Sequence, residues 1–312
     1  MLKSAASSRF ALNCGLSLLA MLPMTVHSAD KPVPNAQKPA PFTFVVFGDN
    51  RPAQATGPVP EVFKQIVAEV HDLHPDFVVT TGDLINGSAT DLALVNKQYD
   101  EVLPIVNSVG VPIYFAAGNH EIRSVKANED LYRQRVYNKL YYSFDYGNSH
   151  FIVLDSDIVG QEHKITGEQI VAFERDLQAV QGKAKHIFVF LHQQPYPVSL
   201  HIGSSLDTFP AERDRFQSLL EKYHVEYLIT GHEHLYDDSV RNGVHEIISG
   251  GAGAPLYPSK RGGSFFHYLV ITVDGDQTYV NVVKPGALFS YDKVLEMAPG
   301  EKKEPGVPLP AH

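Results

Sequence analysis

Six short apolar runs rich in β-branched and aromatic residues punctuate the chain: FTFVVF from Phe42, DFVVTT from Asp76, VPIYFAA from Val111, HFIVLD from His150, HIFVFLH from His186 and EYLITG from Glu226. Continuous apolar runs of this length and composition read as buried strands. Helical spacing lies between them, at Glu61 to Leu73, Asp91 to Asn107, Gly167 to Val180 and Ala211 to Tyr223. Pro60 sits just inside the start of the first helical stretch, where its missing N–H costs nothing. Thr166 followed by Gln169 has the spacing of a capping box. Past residue 234 the pattern changes to strands alone (GVHEIISG, FFHYLVITVDG, QTYVNVVKP), with Asp274–Asp276 as a hairpin turn. The order predicts two packed sheets covered by helices.

The ends of these runs carry the chemistry. Asp49, Asp83, Asn119 with His120, His192, and His232 with His234 all fall at or just past the carboxyl end of a predicted strand. That is the edge where open α/β sheets bind ligands. Each residue alone has a plain reading: an Asp after Gly makes a turn or caps a helix, and a lone His is a hydrogen-bonded interior residue. Hard or imidazole donors at five separate strand ends point instead to one site.

As an ordered set, GDN (48–50), GD (82–83), GNHE (118–121), His192 and GHEH (231–234) resemble the calcineurin-like metallophosphoesterase superfamily, which includes the purple acid phosphatases. The likeness runs from about Phe42 to Lys284, and the stretch GSSLDTFPAERDRFQSLLEKYHVEYLITGHEHLY resembles the family's secreted bacterial branch. It implies an α/β fold, a four-layer αββα sandwich of two mixed sheets flanked by helices, with a dinuclear metal centre. Residue by residue, Asp83 resembles the bridging carboxylate. Asn119, His192 and His232 complete one metal site, and Asp49 with His234 belong to the other. His120 resembles the imidazole that assists the leaving group. Two ions ~3.5–4 Å apart can hold a hydroxide and clamp the phosphate oxygens of an in-line displacement. Imidazole, carboxylate and amide donors together suit Fe, Mn or Zn, divalent or trivalent, and do not choose among them.

Two positions depart from the family pattern. Many members carry a ligating His two residues after the first Asp, where this chain has Arg51. Purple acid phosphatases place a Tyr ligand three residues after the bridging Asp, where this chain has Asn86, so a tyrosinate charge-transfer colour is not expected. Guanidinium has five donors and no acceptor, so Arg51 cannot bind a cation. Three readings stay open: Arg51 holds substrate phosphate in its fork, Asn86 or water replaces the ligand, or the site is weakened. Ser249–Pro255 could bring backbone close to the site or be a plain Gly-rich turn. Tyr196, His201 and Arg213 could line a pocket or merely pack, and Glu121 could orient a neighbour or merely start a helix.

The N-terminus has Lys3 and Arg9, an apolar run from Ala11 to Met24 and then small residues, the layout of a secretory signal peptide. The run is short of the ~20 residues a membrane span needs. The expected organisation is a signal peptide at 1–28, a Pro-rich linker at 29–41, a metallophosphoesterase domain at 42–297 and a disordered Pro/Gly-rich tail at 298–312. A domain of roughly 255 residues can bury a large core without staples. Cys14 is the only cysteine and lies in the leader. A mature chain without it has no disulfide, thiolate metal site or cysteine nucleophile, which fits a periplasmic or secreted bacterial enzyme. The net charge of −9 disfavours nucleic acid and anionic lipid as partners. The expected substrate is a small phosphate ester, with no membrane partner after leader cleavage. A monoesterase is favoured over a diesterase because Arg51 adds a positive contact for a dianion. The rivals are a phosphodiesterase or nuclease, and a metal- or phosphate-binding protein with vestigial catalysis.

Overall fold

A computed structural model of the chain describes residues 40–287. The expected leader, nearly all of the linker, the tail and the last residues of the expected domain lie outside the described residues. The five strands of one sheet run in the order β11 (Gln277–Val283), β10 (Tyr268–Asp274), β1 (Phe42–Phe47), β2 (Phe77–Thr80), β3 (Ile113–Phe115). In it β1, β2 and β3 are parallel, while β10 is antiparallel to β1 and β11 to β10. The second sheet has six: β4 (Tyr142–Tyr146), β5 (Ser149–Val153), β6 (His186–Leu191), β7 (Tyr227–Thr230), β9 (Val244–Ser249), β8 (Tyr236–Arg241). Both sheets are mixed: the alternation of apolar runs with helical stretches gives the parallel pairs, and the hairpins β4–β5, β8–β9 and β10–β11 add antiparallel ones.

The continuous apolar runs follow from burial on both faces. Along β1, Phe44 and Val46 point into a core shared with Phe151, Phe188 and Phe190 of the second sheet. Val45 and Phe47 point the other way, onto Phe63, Ile66 and Val70 of α1 (Glu61–Leu73) and Val95 and Tyr99 of α2 (Leu92–Asn107). The outer face of the second sheet packs on Ile170, Phe173 and Leu177 of α5 (Gly167–Val180) and Phe216 and Leu220 of α6 (Pro210–Lys222). The result is the expected four layers, helices on sheet on sheet on helices. Aromatic rings fill the space between the sheets: Phe44 stacks on Phe77 of its own sheet at 5.1 Å and meets Phe151 of the other edge-on at 5.3 Å.

Local expectations shift where tertiary contacts compete. Pro60 takes the N-cap position, one residue outside α1. The expected capping box at Thr166 does not form, because Gln169 is buried and spends its amide on the backbone N–H and carbonyl of Asp155, at 2.7 and 2.8 Å. Asp91 precedes α2 and caps it, accepting the Leu94 N–H at 2.9 Å. The edge strands β4 and β8 carry no apolar run because half of their residues face outward. Two short helices, α3 (Asn119–Ile122) and α4 (Lys126–Arg135), follow β3. Among the described residues no helix is long and apolar enough to cross a membrane.

Candidate metal centre

The parallel strands β1, β2, β3 of one sheet and β6, β7 of the other deliver their carboxyl ends to one place. There the chain turns abruptly. Asp49, Asp83 and His232 have φ of 56°, 58° and 68°, a left-handed conformation that side chains other than glycine adopt at a cost. Close packing fixes these turns. A Cβ on Gly118 would collide with the Asp83 carboxylate, and one on Gly231 with the Asp49 carboxylate. The Asp49 carboxylate also accepts the His232 N–H at 2.9 Å, and the Ala254 N–H donates to the Asp49 carbonyl at 2.8 Å. The Gly-rich segment 249–255 thus does lay backbone against the site.

The expected donors converge. His192 Nε2 lies 2.9 Å from Asn119 Oδ1, and His232 Nδ1 lies 3.1 Å from each of them. Asp83 Oδ1 is 3.4 Å from His192 Nε2, and Asp49 Oδ1 is 3.4 Å from His234 Nε2. Ligand atoms of Asp49, Asp83 and His192 all fall within 4.8 Å of one another, and all three residues are buried. Carbonyls fix two of the rings: His192 Nδ1–H donates to Thr81 O at 2.8 Å and His234 Nδ1–H to Pro255 O at 2.7 Å. Each Nε2 is left with its lone pair turned inward, the arrangement typical of ligating histidines.

These residues fit a metal ion on three counts. Asp49 Oδ1 is buried without a hydrogen-bond partner. Atoms bound side by side to one ion at ~2.1 Å stand about 3 Å apart, close to the spacing of the Asn119, His192 and His232 donors. The pocket also calls for positive charge. Burial opposes a charge on His192, yet the Asp83, Asp49 and Asp157 carboxylates push it up to about 9. Burial would raise Asp83, but His192, His120 and Arg51 hold it well below the usual carboxylate range. Asp49, Asp83 and His192 therefore form a cluster able to coordinate a metal ion.

His120 and Arg51 border the same cluster. The His120 backbone N–H donates to Asp83 Oδ1 at 3.0 Å, and its Nε2 lies 3.8 Å from Asp83 Oδ2. Burial, with Arg51 and Arg123 adding to it, pushes the His120 ring down to about 4 against the pull of Asp83. Arg51 Nε is 3.4 Å from Asp83 Oδ2. Asn86 does not turn toward Asp49: its side-chain amide donates to Pro52 O at 3.1 Å, and its backbone carbonyl lies 2.6 Å from His120 Nδ1. Tyr196 and Arg213 instead join a cation–π stack with Arg241.

The acids inside the two His-containing motifs have structural work that spacing alone did not reveal. Glu121 accepts four backbone N–H groups, from Asp83, Leu84, Ile85 and Gly118, at 2.7 to 3.2 Å. Burial and the Asp83 charge push its carboxyl up to about 8 against those donors. Glu233 accepts from Val198, Ser199 and His201 at 2.7, 2.6 and 3.3 Å. The segment so anchored lays the His201 ring on His232 at 3.8 Å. Tyr257, to which no motif points, stacks on His234 at 4.1 Å.

Comparison with known proteins agrees with this geometry. The calcineurin-like phosphoesterase family model matches residues 42–236. Purple acid phosphatase 23 of Arabidopsis thaliana is 28% identical over 138 residues, 41% of this chain and 29% of that protein. A probable cyclic nucleotide phosphodiesterase of Psychrobacter arcticus is 23% identical over 198 residues, 59% of this chain and 64% of that one. The chain thus spans less than two thirds of either relative. Among solved structures, the purple acid phosphatase PPD1 of yellow lupin superposes with a TM-score of 0.64 at 21% identity, over 81% of this chain and 53% of that one. A dimetal phosphatase of Danio rerio gives 0.60 at 15% identity, over 78% and 97%. At such identities the likeness speaks for the fold. The matched segment covers more than half of the sequence and contains Asp49, Asp83, Asn119, His192, His232 and His234, and on that ground the chain belongs to the calcineurin-like phosphoesterase family.

Proposed function

We propose that the chain is a metal-dependent phosphoesterase that hydrolyses small phosphate esters at a dinuclear centre. The observation that carries this reading is the convergence of Asn119 Oδ1, His192 Nε2 and His232 Nδ1 within 3.1 Å of one another, beside a second donor pair, Asp49 and His234, 3.4 Å apart. Asp83 lies against the first group and shares the Asp49 cluster, the position of a bridging carboxylate. When bound, Fe, Mn or Zn ions supply Lewis-acid activation of water and of the phosphoryl oxygens.

The protein's own groups orient the ester. Arg51, with its guanidinium over Asp83 Oδ2, offers charge-assisted donors to the phosphoryl oxygens. The Nε2 edge of His120 lies 3.8 Å from the same carboxylate, and in this reading it would pass a proton to the leaving oxygen once a phosphate dianion has raised its affinity for one. The leader and a periplasmic or secreted location belong to this proposal on sequence grounds alone.

Elemental analysis coupled to a panel of p-nitrophenyl mono- and diesters with Mn, Fe or Zn tests the reading. Two metal equivalents with turnover support it, and the preferred ester separates monoesterase from diesterase. Metal binding without turnover of any ester would leave a binding protein with vestigial catalysis.

A further inference from the structure

We propose that residues 198–202, together with Tyr257, form an apolar shelf at the mouth of the metal centre that receives the organic group of the ester, so that esters of apolar alcohols are the substrate class. The proposal deepens the phosphoesterase reading and rests on it. Seven large apolar side chains are exposed among the described residues, and three of them, Val198 at 36%, Leu200 at 62% and Ile202 at 66%, fall within five consecutive positions. The other four are scattered along the chain, the ordinary condition of a protein surface.

The shelf is fixed in place rather than loosely draped. Glu233, itself buried between His232 and His234, takes the N–H groups of Val198, Ser199 and His201. Ser199 Oγ ties the segment to Pro258 O at 2.6 Å. His201, flanked by Leu200 and Ile202, covers His232, and its Nε2 lies 3.2 Å from Tyr257 Oη. Tyr257 in turn covers His234. The exposed apolar residues therefore belong to the same anchored segment whose His201 covers a candidate metal ligand. In the proposed arrangement a phosphoryl group held near Asp83 and Arg51 directs its organic substituent toward this segment. An apolar substituent laid on Leu200 and Ile202 removes exposed hydrocarbon from water on both partners, whereas a polar or charged one gains nothing there. A rigid, partly exposed apolar surface loses little entropy on being covered, which favours its use as a binding surface.

Ethyl and hexyl phosphate share leaving-group chemistry and differ only in apolar length. The wild-type protein, loaded with the ion that supports turnover, is expected to favour hexyl phosphate by about tenfold in kcat/KM, mainly through KM. Leu200→Ser combined with Ile202→Ser removes the exposed hydrocarbon without touching the Glu233 anchor. The double variant is expected to lose about tenfold on hexyl phosphate and much less on ethyl phosphate, with an unchanged melting temperature. Equal kcat/KM for the two esters in the wild type, or a double variant that keeps the preference, overturns the shelf while leaving the phosphoesterase reading intact. No turnover of either ester, or of p-nitrophenyl mono- or diesters, with Mn, Fe or Zn overturns that reading and the shelf with it.

Discussion

Glu233→Gln tests the view that the acid between two candidate ligands is an anchor for the neighbouring loop. Glu233 Oε2 accepts the Val198 N–H, and Oε1 accepts those of Ser199 and His201. The glutamine amide can serve only one of these sides. In its better orientation the carbonyl keeps Ser199 and His201, and the NH₂ faces the Val198 N–H, donor against donor. Leaving a buried donor unpaired costs about 1–3 kcal/mol. Two remaining bonds also drop from charge-assisted to neutral strength, roughly 1 kcal/mol each. Val198 and Leu200 are exposed enough for the segment to lift and let water take the stranded N–H, which caps the loss. The expected destabilisation is therefore about 2–3 kcal/mol. For a domain of this size that lowers the melting temperature by roughly 5–10 °C. Denaturation melts with and without added metal measure it, and limited proteolysis should open first between residues 198 and 204. A variant within about 0.5 kcal/mol of wild type, with an uncut segment, would falsify the anchoring role.

Asp83→Asn is expected to abolish turnover and reduce bound metal at both sites; two tightly held ions and near-normal activity would remove Asp83 from the bridging position. His120→Asn should lower turnover by ~10²–10⁴-fold with metal content intact. Its loss should be larger for alkyl phosphates than for p-nitrophenyl phosphate, and equal losses across leaving groups would end the proposed role. Arg51→Ala should weaken phosphate inhibition by roughly 1.5–3 kcal/mol without loss of metal, whereas Arg51→His should tighten metal at the Asp49 side. Unchanged phosphate inhibition would show that Arg51 does not touch the anion. Away from the site, Asp176 and Asp145, at 3.1 and 2.6 Å, hold the His150 ring above its ordinary pKa despite burial. A raised folded-state pKa contributes stability that is full below the unfolded value of about 6.5 and is lost as pH rises through the folded one. The melting temperature of His150→Gln should accordingly trail wild type more at pH 6 than at pH 9, and a gap independent of pH would refute the coupling.

Much of the fold was legible because burial on both faces writes strands as unbroken apolar runs. Phe44 and Phe47 face opposite layers, and both had to be apolar. The edge strands β4 and β8 were not legible, since a strand such as Tyr236–Arg241 is written mostly in residues that suit a solvated surface equally well. The Thr166 capping pattern misled because Gln169 had a better partner 14 positions back in the chain, which no local rule can see. At the site, the candidate ligands could be read from residue type and strand-end position. Their supports could not: Thr81 and Pro255 act through carbonyls that every residue possesses, and Tyr257 approaches His234 from a segment without regular structure.

The supports explain why each His-containing motif carries a glutamate. Three candidate ligand residues hold left-handed backbone, each at a cost of about 1–3 kcal/mol, and the carboxylates of Asp49 and Asp83 repel each other across the same cluster. A loop left to itself would relax away from that geometry. Glu121 prevents this on the Asp83 side by taking four consecutive or neighbouring N–H groups, so that the turn which exposes the Asp83 carboxylate also satisfies its own backbone. On the opposite side Asp49 itself takes the His232 N–H with the oxygen it does not turn toward His234. One oxygen of Asp49 thus builds the site while the other is free to serve it. The mutual repulsion of the carboxylates remains, and a cation is the partner that would turn it into attraction. The strain and the like charges together make the strand ends a poor place for any ordinary turn and a good one for a metal ion.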